Sequence, residues 1–437
     1  LVVAEIFAKQ DYYQMLLEIA PELERSTSIG ELKSPRLPFL KHIVLIGDSQ
    51  KPGTVAFDDL MSSATAEDHA TMRSLSARVQ FDQDAYIQFS SGTTGRPKGA
   101  RLSHFNVINN ANLVGRELGF HEQREIICQN SQLIYGLGRT VGSLASMIFG
   151  CTVVLPAPFF SGKAALEAIA KQRCTIVFGT PSYYFEMLSE LDQREYNVSS
   201  IRKGVVAGFL CPPDLPDKAK TRLSVKRFYI MYGSTENSPN ASNTNPDEPR
   251  DRWIQTVGKP MDHVEVKVVN KEGRIVPINT RGELCTRGHL VFKGYLNDDA
   301  KTKEVIRDNW YHTGDEATLS EDGRITIVGR LKEMINLGGW DIQPKEIEDV
   351  LNQHPDIEEA QVIGVPDIVH GEMICAWIKL QAGKRLSKED IKDFCVGKIH
   401  EYKVPEHVLF VDSFPRTLTG KVQKHKMREE SRRLLNL

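Results

Sequence analysis

At 437 residues the chain is long for a single domain, and two or three are expected. Its 55 basic and 57 acidic residues leave a net charge of -2, so charge gives no reason to expect a nucleic acid or an anionic membrane as partner. With 41% apolar and 26% charged residues there is enough material for a core, and no apolar run reaches membrane-spanning length.

Residues 1 to 80 combine an expected helix (Asp11 to Ile19), a strand HIVLIG (His42 to Gly47) and a polar connection. From 81 to about 233, apolar strands alternate with helical patterns. AYIQF (Ala85 to Phe89) is an alternating, β-prone run, and Leu102 to Glu117 has a helical pattern. TVVLP (Thr152 to Pro156) precedes the helix Lys163 to Arg173, and TIVFGT (Thr175 to Thr180) precedes the helix Tyr183 to Leu191. KGVVAG (Lys203 to Gly208) and RFYIMYG (Arg227 to Gly233) complete a series that predicts an α/β fold with layered sheets. After about 255 short strands dominate, at Val264 to Val269, Gly282 to Gly288 and Arg324 to Arg330, which predicts a small β-rich subdomain. A final α+β unit is expected from helix Lys345 to Pro355, strands Glu359 to Val365 and Met373 to Leu380, helix Lys388 to Ile399 and strand His407 to Val411.

Cys128, Cys151, Cys174, Cys211, Cys285, Cys375 and Cys395 are scattered, odd in number and never in a C-x-x-C pair. They are expected to be reduced core thiols of an intracellular protein, not a metal site or a disulfide framework. The chain begins with Leu1 and carries no recognisable signal or transit segment.

Ser90 to Gly99, SSGTTGRPKG, organises the rest. Three glycines let backbone N–H groups turn towards one point, four hydroxyls add donors, and Lys98 adds a mobile charge. A strand, a donor-rich turn and then a helix N-terminus is an arrangement that binds polyphosphate. It is not a Walker A loop, because Gly92 and Gly95 stand too close and Gly99 follows Lys98.

Four clusters follow. Tyr232-Gly233-Ser234-Thr235-Glu236 leaves a strand where loops of open α/β sheets face a crevice. Its aromatic ring suits a nucleobase, and its carboxylate suits Mg²⁺. Thr313-Gly314-Asp315 offers a two-oxygen acceptor for ribose hydroxyls. Gly329-Arg330-Leu331-Lys332-Glu333 has the character of a linker with a guanidinium beside it, and Pro415 to Lys421 puts a lysine after a glycine turn. Taken singly, these clusters are also compatible with plain turns and solvated side chains.

In order, SSGTTGRPKG, YGSTE, TGD, GRLKEMI and TLTGKVQK resemble the core motifs of the adenylate-forming superfamily, which comprises acyl-CoA synthetases, adenylation domains of peptide synthetases and luciferases. The resemblance covers essentially the whole chain and is strongest to medium-chain acyl-CoA synthetases of mitochondria. Matching stretches include LKSPRLP (Leu32 to Pro38), GTPSYYFEML (Gly179 to Leu188), YGSTENSP (Tyr232 to Pro239) and Lys403 to Lys424. It implies a large AMP-binding domain over 1–329 that is N-terminally incomplete, and a mobile C-terminal domain over 330–437 with its hinge at Lys332.

The resemblance also implies the roles. Ser90, Ser91, Gly92, Thr93, Thr94, Gly95, Arg96, Pro97 and Lys98 hold the ATP phosphates, with Thr93 moving as pyrophosphate leaves. Tyr232 stacks on adenine beside Gly208, Glu236 binds Mg²⁺, Asp315 takes the ribose, and Arg330 takes the ribose and α-phosphate region. Lys421 bridges the incoming carboxylate and the α-phosphate, and Gly338 and Gly339 leave room for the pantetheine arm of coenzyme A. The implied reaction joins a fatty acid to coenzyme A through an acyl-adenylate, with fatty acid, ATP and coenzyme A as small-molecule partners and the oligomeric state left open; the resemblance also implies the mitochondrial matrix.

The chain departs from the pattern in places. Ile134-Tyr135 stands where an aromatic-His pair is usual, Trp340-Asp341 follows the two glycines, and Lys424 replaces an arginine. Two rival functions stay open at this point, an amino-acid-activating adenylation domain and a non-catalytic nucleotide-binding remnant. The first is disfavoured because the chain ends sixteen residues after Lys421.

Overall fold

In the middle of the sequence, runs such as TIVFGT (Thr175 to Thr180) have no polar face to turn to water, so both faces must be covered. The computed structural model describes residues 1–7, 10–26, 32–47, 50–90, 97–209, 211–337, 340–368, 370–417, 420–435 and 437. They form two units, Leu1–Gln80 and Phe81–Leu437. In the first, the helix Tyr12–Ile19 is capped by Asp11, whose carboxylate accepts from Gln14 N at 2.9 Å. It packs Tyr13 and Leu16 onto Leu23, Leu32 and Ile43. The strands Val2–Ala4, Val44–Ile46 and Val55–Ala56 pair in parallel beside it.

The second unit is built on a seven-stranded sheet. Thr152–Val154, Ile126–Cys128, Ile176–Gly179, Lys203–Val206 and Arg227–Tyr232 run parallel in that spatial order. Ser242–Asn243 and Lys259–Pro260 then close the edge antiparallel. Ile176–Gly179 is buried along its whole length because helices cover the sheet. One of these is Gly162–Gln172, capped by Ser161, which accepts from Ala164 N at 3.3 Å. Its Ala165, Leu166 and Ile169 recur at helical spacing and reach full burial. Each large aliphatic side chain so buried contributes about 2 kcal/mol. Because the strands are parallel, the segments after Gly179, Val206 and Tyr232 all leave from one edge of the sheet.

Beside this stands an antiparallel sheet of Val264–Val269, Gly282–Gly288, Trp310–Leu319 and Ile306–Arg307, with Ile325–Arg330 paired to Trp310–Leu319. Residues 335–435 form the small C-terminal part, in which Gly371–Leu380 pairs with Ile357–Asp367 and His407–Phe410. It has cores of its own, around Ile335, Ile347 and Ile391 and around Val365, Trp377 and Met427. The expected fold class is therefore the observed one. No described helix is long and apolar enough to cross a membrane. All seven cysteines are free, and five of them are buried.

One sequence expectation is corrected here. The glycine-rich stretch does not lead directly into a helix. Ser90 ends one strand, Asp84–Ser90, and Lys98 begins another, Lys98–Ser103, paired antiparallel to it. The helix starts only at His104, and covers His104–Glu117 rather than Leu102 to Glu117. Six residues of strand, roughly 20 Å, separate its N-terminus from the loop. KGARLS has little strand propensity of its own; it is extended because it lies between Asp84–Ser90 and Gly294–Tyr295. The helix signal was in the sequence all the same, since Ser103 and Asn106 form a capping box.

Candidate active site

Tyr232 is the last residue of its parallel strand, and Thr235–Asn237 follows as a single 3₁₀ turn. The tyrosine hydroxyl donates to Asp315 Oδ2 at 2.6 Å, and Arg330 Nε lies 2.7 Å from Asp315 Oδ1. Asp315 and Arg330 are direct partners across neighbouring strands, so pairing alone sets these two side chains together. Two of the five sequence motifs thus meet on a third.

A bulge aims the carboxylate. The pairing of Gly282–Gly288 with Trp310–Leu319 shifts register between Glu283 and Cys285, opposite Thr313-Gly314-Asp315. Gly314 takes φ +70°, a left-handed conformation that suits glycine. Thr313 Oγ1 donates to Leu284 O at 2.8 Å and accepts from Asp315 N at 3.1 Å. Glu283 Oε1 accepts from Gly314 N at 3.2 Å. A bulge of this kind re-aims a side chain that a regular strand would leave on the wrong line.

Burial raises the Asp315 carboxyl above its usual range, and the Arg330 guanidinium and Tyr232 hydroxyl only partly offset this. Burial also pushes the Tyr232 phenol well up, helped by the Asp315 charge, so it stays a neutral donor. For Arg330 burial opposes the charge, but Asp315 and then the surrounding tyrosines outweigh it and hold the guanidinium cationic.

Glu236 is buried, and its Oε1 accepts from the Tyr295 hydroxyl at 2.8 Å. Tyr295 lies on the strand that borders Lys98–Ser103, and Lys98 Nζ sits 5.5 Å from the centre of its ring. The Lys98 end of the glycine-rich stretch and the YGSTE carboxylate therefore share one tyrosine. Among the described residues Glu236 has no ion-pair partner. A buried carboxylate answered only by a neutral hydroxyl fits a hard cation that takes one or two carboxylates and otherwise phosphate oxygens, as Mg²⁺ does.

Lys421 belongs to the small part, where Thr417 N donates to Lys421 O at 2.8 Å and Lys421 N to Thr417 Oγ1 at 3.1 Å. Lys421 is exposed to solvent. Desolvation, with the Arg330 charge, lowers its pKa, while Glu236, Asp315 and Glu333 act in the opposite direction. The residues from the large part that act on Lys421 are thus the site carboxylates and guanidinium themselves. Lys332, in the 3₁₀ turn Leu331–Glu333 just after Arg330, is lowered to about 8, by desolvation first and then by Arg330. Lys424 Nζ lies 2.7 Å from Glu348 Oε1 and 3.6 Å from Glu333 Oε2, which ties the segment after Lys421 to this turn.

Gly208 takes φ +87° just beyond its parallel strand, and a Cβ there would meet only Thr180 Cγ2, at 3.7 Å. Ser90, Pro97 and Lys98 bound the glycine-rich stretch. Ser91, Gly92, Thr93, Thr94, Gly95 and Arg96 lie outside the described residues, as do Gly338 and Gly339. Sequence reasoning passed over Tyr295 and Glu283. A lone tyrosine in FKGYL and a lone glutamate in GELCTRG carry no motif, and only strand register brings them to the site.

Residues 19–296 match the AMP-binding enzyme family, and residues 346–421 match the AMP-binding enzyme C-terminal domain. The chain is 43% identical over 434 residues to the mitochondrial medium-chain acyl-CoA ligase ACSF2 of Danio rerio, covering 99% of this chain and 71% of the relative. It is 40% identical over 444 residues to the Homo sapiens protein of the same name, covering 100% of this chain and 72% of that one. Among solved structures, an anthranilate CoA ligase in complex with anthranoyl-AMP superposes with a TM-score of 0.80 at 26% identity, over 100% of this chain and 78% of the other.

Proposed function

The chain belongs to the AMP-binding enzyme family, and from that premise we propose that it joins a fatty acid to coenzyme A by way of an acyl-adenylate. The observation that carries this reading is the convergence on Asp315. Tyr232 and Arg330 grip it, and its charge, with that of Glu236, acts on Lys421 from the small part. Medium chain length and a mitochondrial address rest on the names of the relatives.

In the first half-reaction a carboxylate oxygen of the fatty acid attacks the α-phosphorus of ATP, and the bond to pyrophosphate breaks. No protein nucleophile is needed. Asp315 accepts from the ribose hydroxyls, the Tyr232 ring lies against adenine beside the Gly208 turn, and Arg330 meets the ribose and α-phosphate. Lys421 holds the attacking carboxylate against the α-phosphate and meets the charge that develops there, which is where fixed positive groups act most strongly. Glu236 would hold Mg²⁺, which when bound supplies Lewis-acid neutralisation of the phosphate oxygens. The residues Ser90 to Lys98 would take the β- and γ-phosphates.

In the second half-reaction the thiolate of coenzyme A attacks the acyl carbonyl and AMP leaves. We assign the C-terminal domain to 330–437 and its hinge to Lys332, so that the residues after Lys332 turn while Arg330 stays paired with Asp315, since a few residues at an element terminus can absorb a domain rotation. The turn would withdraw Lys421 and bring Gly338 and Gly339 to the site. Contacts that would have to open include Arg281 Nη1 to Glu346 Oε1 at 2.8 Å and Gln343 Nε2 to Glu316 Oε2 at 3.0 Å.

Pyrophosphate release from MgATP, measured across fatty acids from short to long with and without coenzyme A, tests the reading. Release that peaks at medium chains and turns over only with coenzyme A is expected. No release with any acid, from folded protein that binds ATP, would overturn it.

Lys332 gives a pH-dependent signature. With its pKa near 8, about half the molecules carry it neutral at pH 8. Bound polyphosphate raises that pKa again, so ATP binding at pH 8 is expected to take up a fraction of a proton, up to about half from this group. Lys332→Met should reduce the uptake. Calorimetry in two buffers of unlike ionisation enthalpy measures it, and equal binding heats in the two would contradict the assignment.

A further inference from the structure

Glu283 and Cys285 are two residues apart on one strand and so project to the same face of the antiparallel sheet, and His312 stands opposite Cys285 on the next strand. Leu284 and Ala317, on the other face, belong to the main core. His312 Nδ1 lies 2.7 Å from Glu283 Oε2 and 3.4 Å from Cys285 Sγ. One donor atom from each of the three falls within 4.8 Å of the others. Cys285 is buried, and the side chains of His312 and Glu283 are only 9% and 19% exposed.

Tetrahedral zinc, with bonds of about 2.1 Å to nitrogen and oxygen and about 2.3 Å to sulfur, sets its N and O ligands about 3.4 Å apart and its N and S ligands about 3.6 Å apart. The nitrogen–sulfur separation here already approaches that value. The nitrogen–oxygen separation would need to open by about 0.7 Å. We propose that Glu283, Cys285 and His312 form a site for a thiophilic divalent cation of the zinc class, with water as fourth ligand, and that its occupancy weakens ATP binding.

The second half follows from the other carboxylate oxygen. Glu283 Oε1 holds Gly314 N, the residue before Asp315, so a shift of this carboxylate reaches the bulge that aims Asp315. That coupling rests on the ribose role proposed for Asp315; metal binding itself does not. Without metal, burial and the Glu283 charge push the Cys285 thiol up to about 12, so it is an inert thiol. Binding forms bonds from the cation to sulfur, nitrogen and oxygen. The thiol proton goes to solvent, and the imidazole proton moves to Nε2. Nothing is oxidised or reduced. Arg307 Nη2, 3.8 Å from Glu283 Oε2, and Lys267, stacked 4.3 Å over the Trp310 ring, oppose the cation and make the site a reversible one.

Equilibrium dialysis of the whole chain with Zn²⁺ alone, and Co²⁺ absorption as a reporter of thiolate ligation, test the site. The expected result is one cation per chain with a thiolate-to-cobalt band, both lost in Cys285→Ser and in His312→Gln. Direct binding of ATP should weaken severalfold with Zn²⁺ in the wild type. In Cys285→Ser it should match the metal-free wild type with or without Zn²⁺. Stoichiometry unchanged in both variants, or no thiolate band, would overturn the site; a filled site with unchanged ATP affinity would overturn the coupling. None of these readouts requires the ligase reaction.

Discussion

Lys421→Ala is expected to slow adenylate formation on the order of 10²–10³-fold, and to leave thioester formation from supplied acyl-adenylate close to wild type. The asymmetry follows from where the side chain stands. In the observed arrangement the charges of Arg330, Glu236 and Asp315 all act on Lys421, and in the proposed function its ammonium would meet the charge that builds on the α-phosphorus. In the proposed second arrangement it has left. A positive group matters only to the step whose transition state it meets. Fold stability should not follow activity. Desolvation lowers the Lys421 pKa, so the folded protein disfavours its charge, and that penalty is present below the folded pKa and fades as pH rises through it towards the unfolded value. At pH 7 the alanine variant should therefore melt no earlier than the wild type. Rapid-quench measurement of each half-reaction decides the matter, and equal losses in the two would sink the two-arrangement reading.

Asp315→Ala is expected to lower kcat/KM for ATP about 10²-fold. A buried carboxylate that accepts two ribose hydroxyls makes charge-assisted hydrogen bonds worth about 1.5–3 kcal/mol each, and the lower end of that range already gives such a loss. The milder variant Asp315→Asn separates binding from folding. Because burial raises the Asp315 carboxyl despite Arg330, its charged form is held at a net cost. A raised carboxyl pKa means stability is fullest below the unfolded pKa, about 3.9, and is lost as pH rises through the folded one. The asparagine variant lacks that loss, so its Tm at pH 7 should equal or exceed the wild-type value, with the gap narrowing towards acid pH. A variant that loses ATP binding and several degrees of Tm together would show that Asp315 is a structural residue first.

Most of the fold was legible because its signals are short-range. Thr175 to Thr180, Lys203 to Gly208 and Arg227 to Gly233 announce themselves as apolar runs, and each became a strand within a residue or two. Lys98–Ser103 did not, because its extended form depends on partners near residues 84–90 and 294–295. Trp310–Leu319 was hidden in a similar way, since TGD drew attention as a motif while the ten-residue strand around it has a bulge that breaks its alternation. The C-terminal helix Lys424–Leu435 is so rich in charge that it resembles a solvated tail, yet Met427 and Ser431 anchor it, with Trp377 Nε1 donating to Ser431 Oγ at 2.8 Å. The site splits along the same line. Tyr232, Glu236, Asp315, Arg330 and Lys421 were all named from local motifs, whereas Tyr295 and Glu283 depend on register, which a single sequence does not display.

Arg330 closes the strand opposite Asp315, and Lys332 follows it after one intervening residue. A turn at Lys332 would leave the Arg330–Asp315 pair on the stationary side. The grip on the nucleotide would then survive the change of partners around it, and one continuous hold would serve successive chemical steps. Two consequences concern traffic rather than chemistry. The activated acid would not escape between steps, because its nucleotide end stays clasped, and the spent mononucleotide would be the last product to leave. Its accumulation would then compete with the next round's ATP, and the cell's ratio of the two nucleotides would throttle the enzyme without any separate regulatory site.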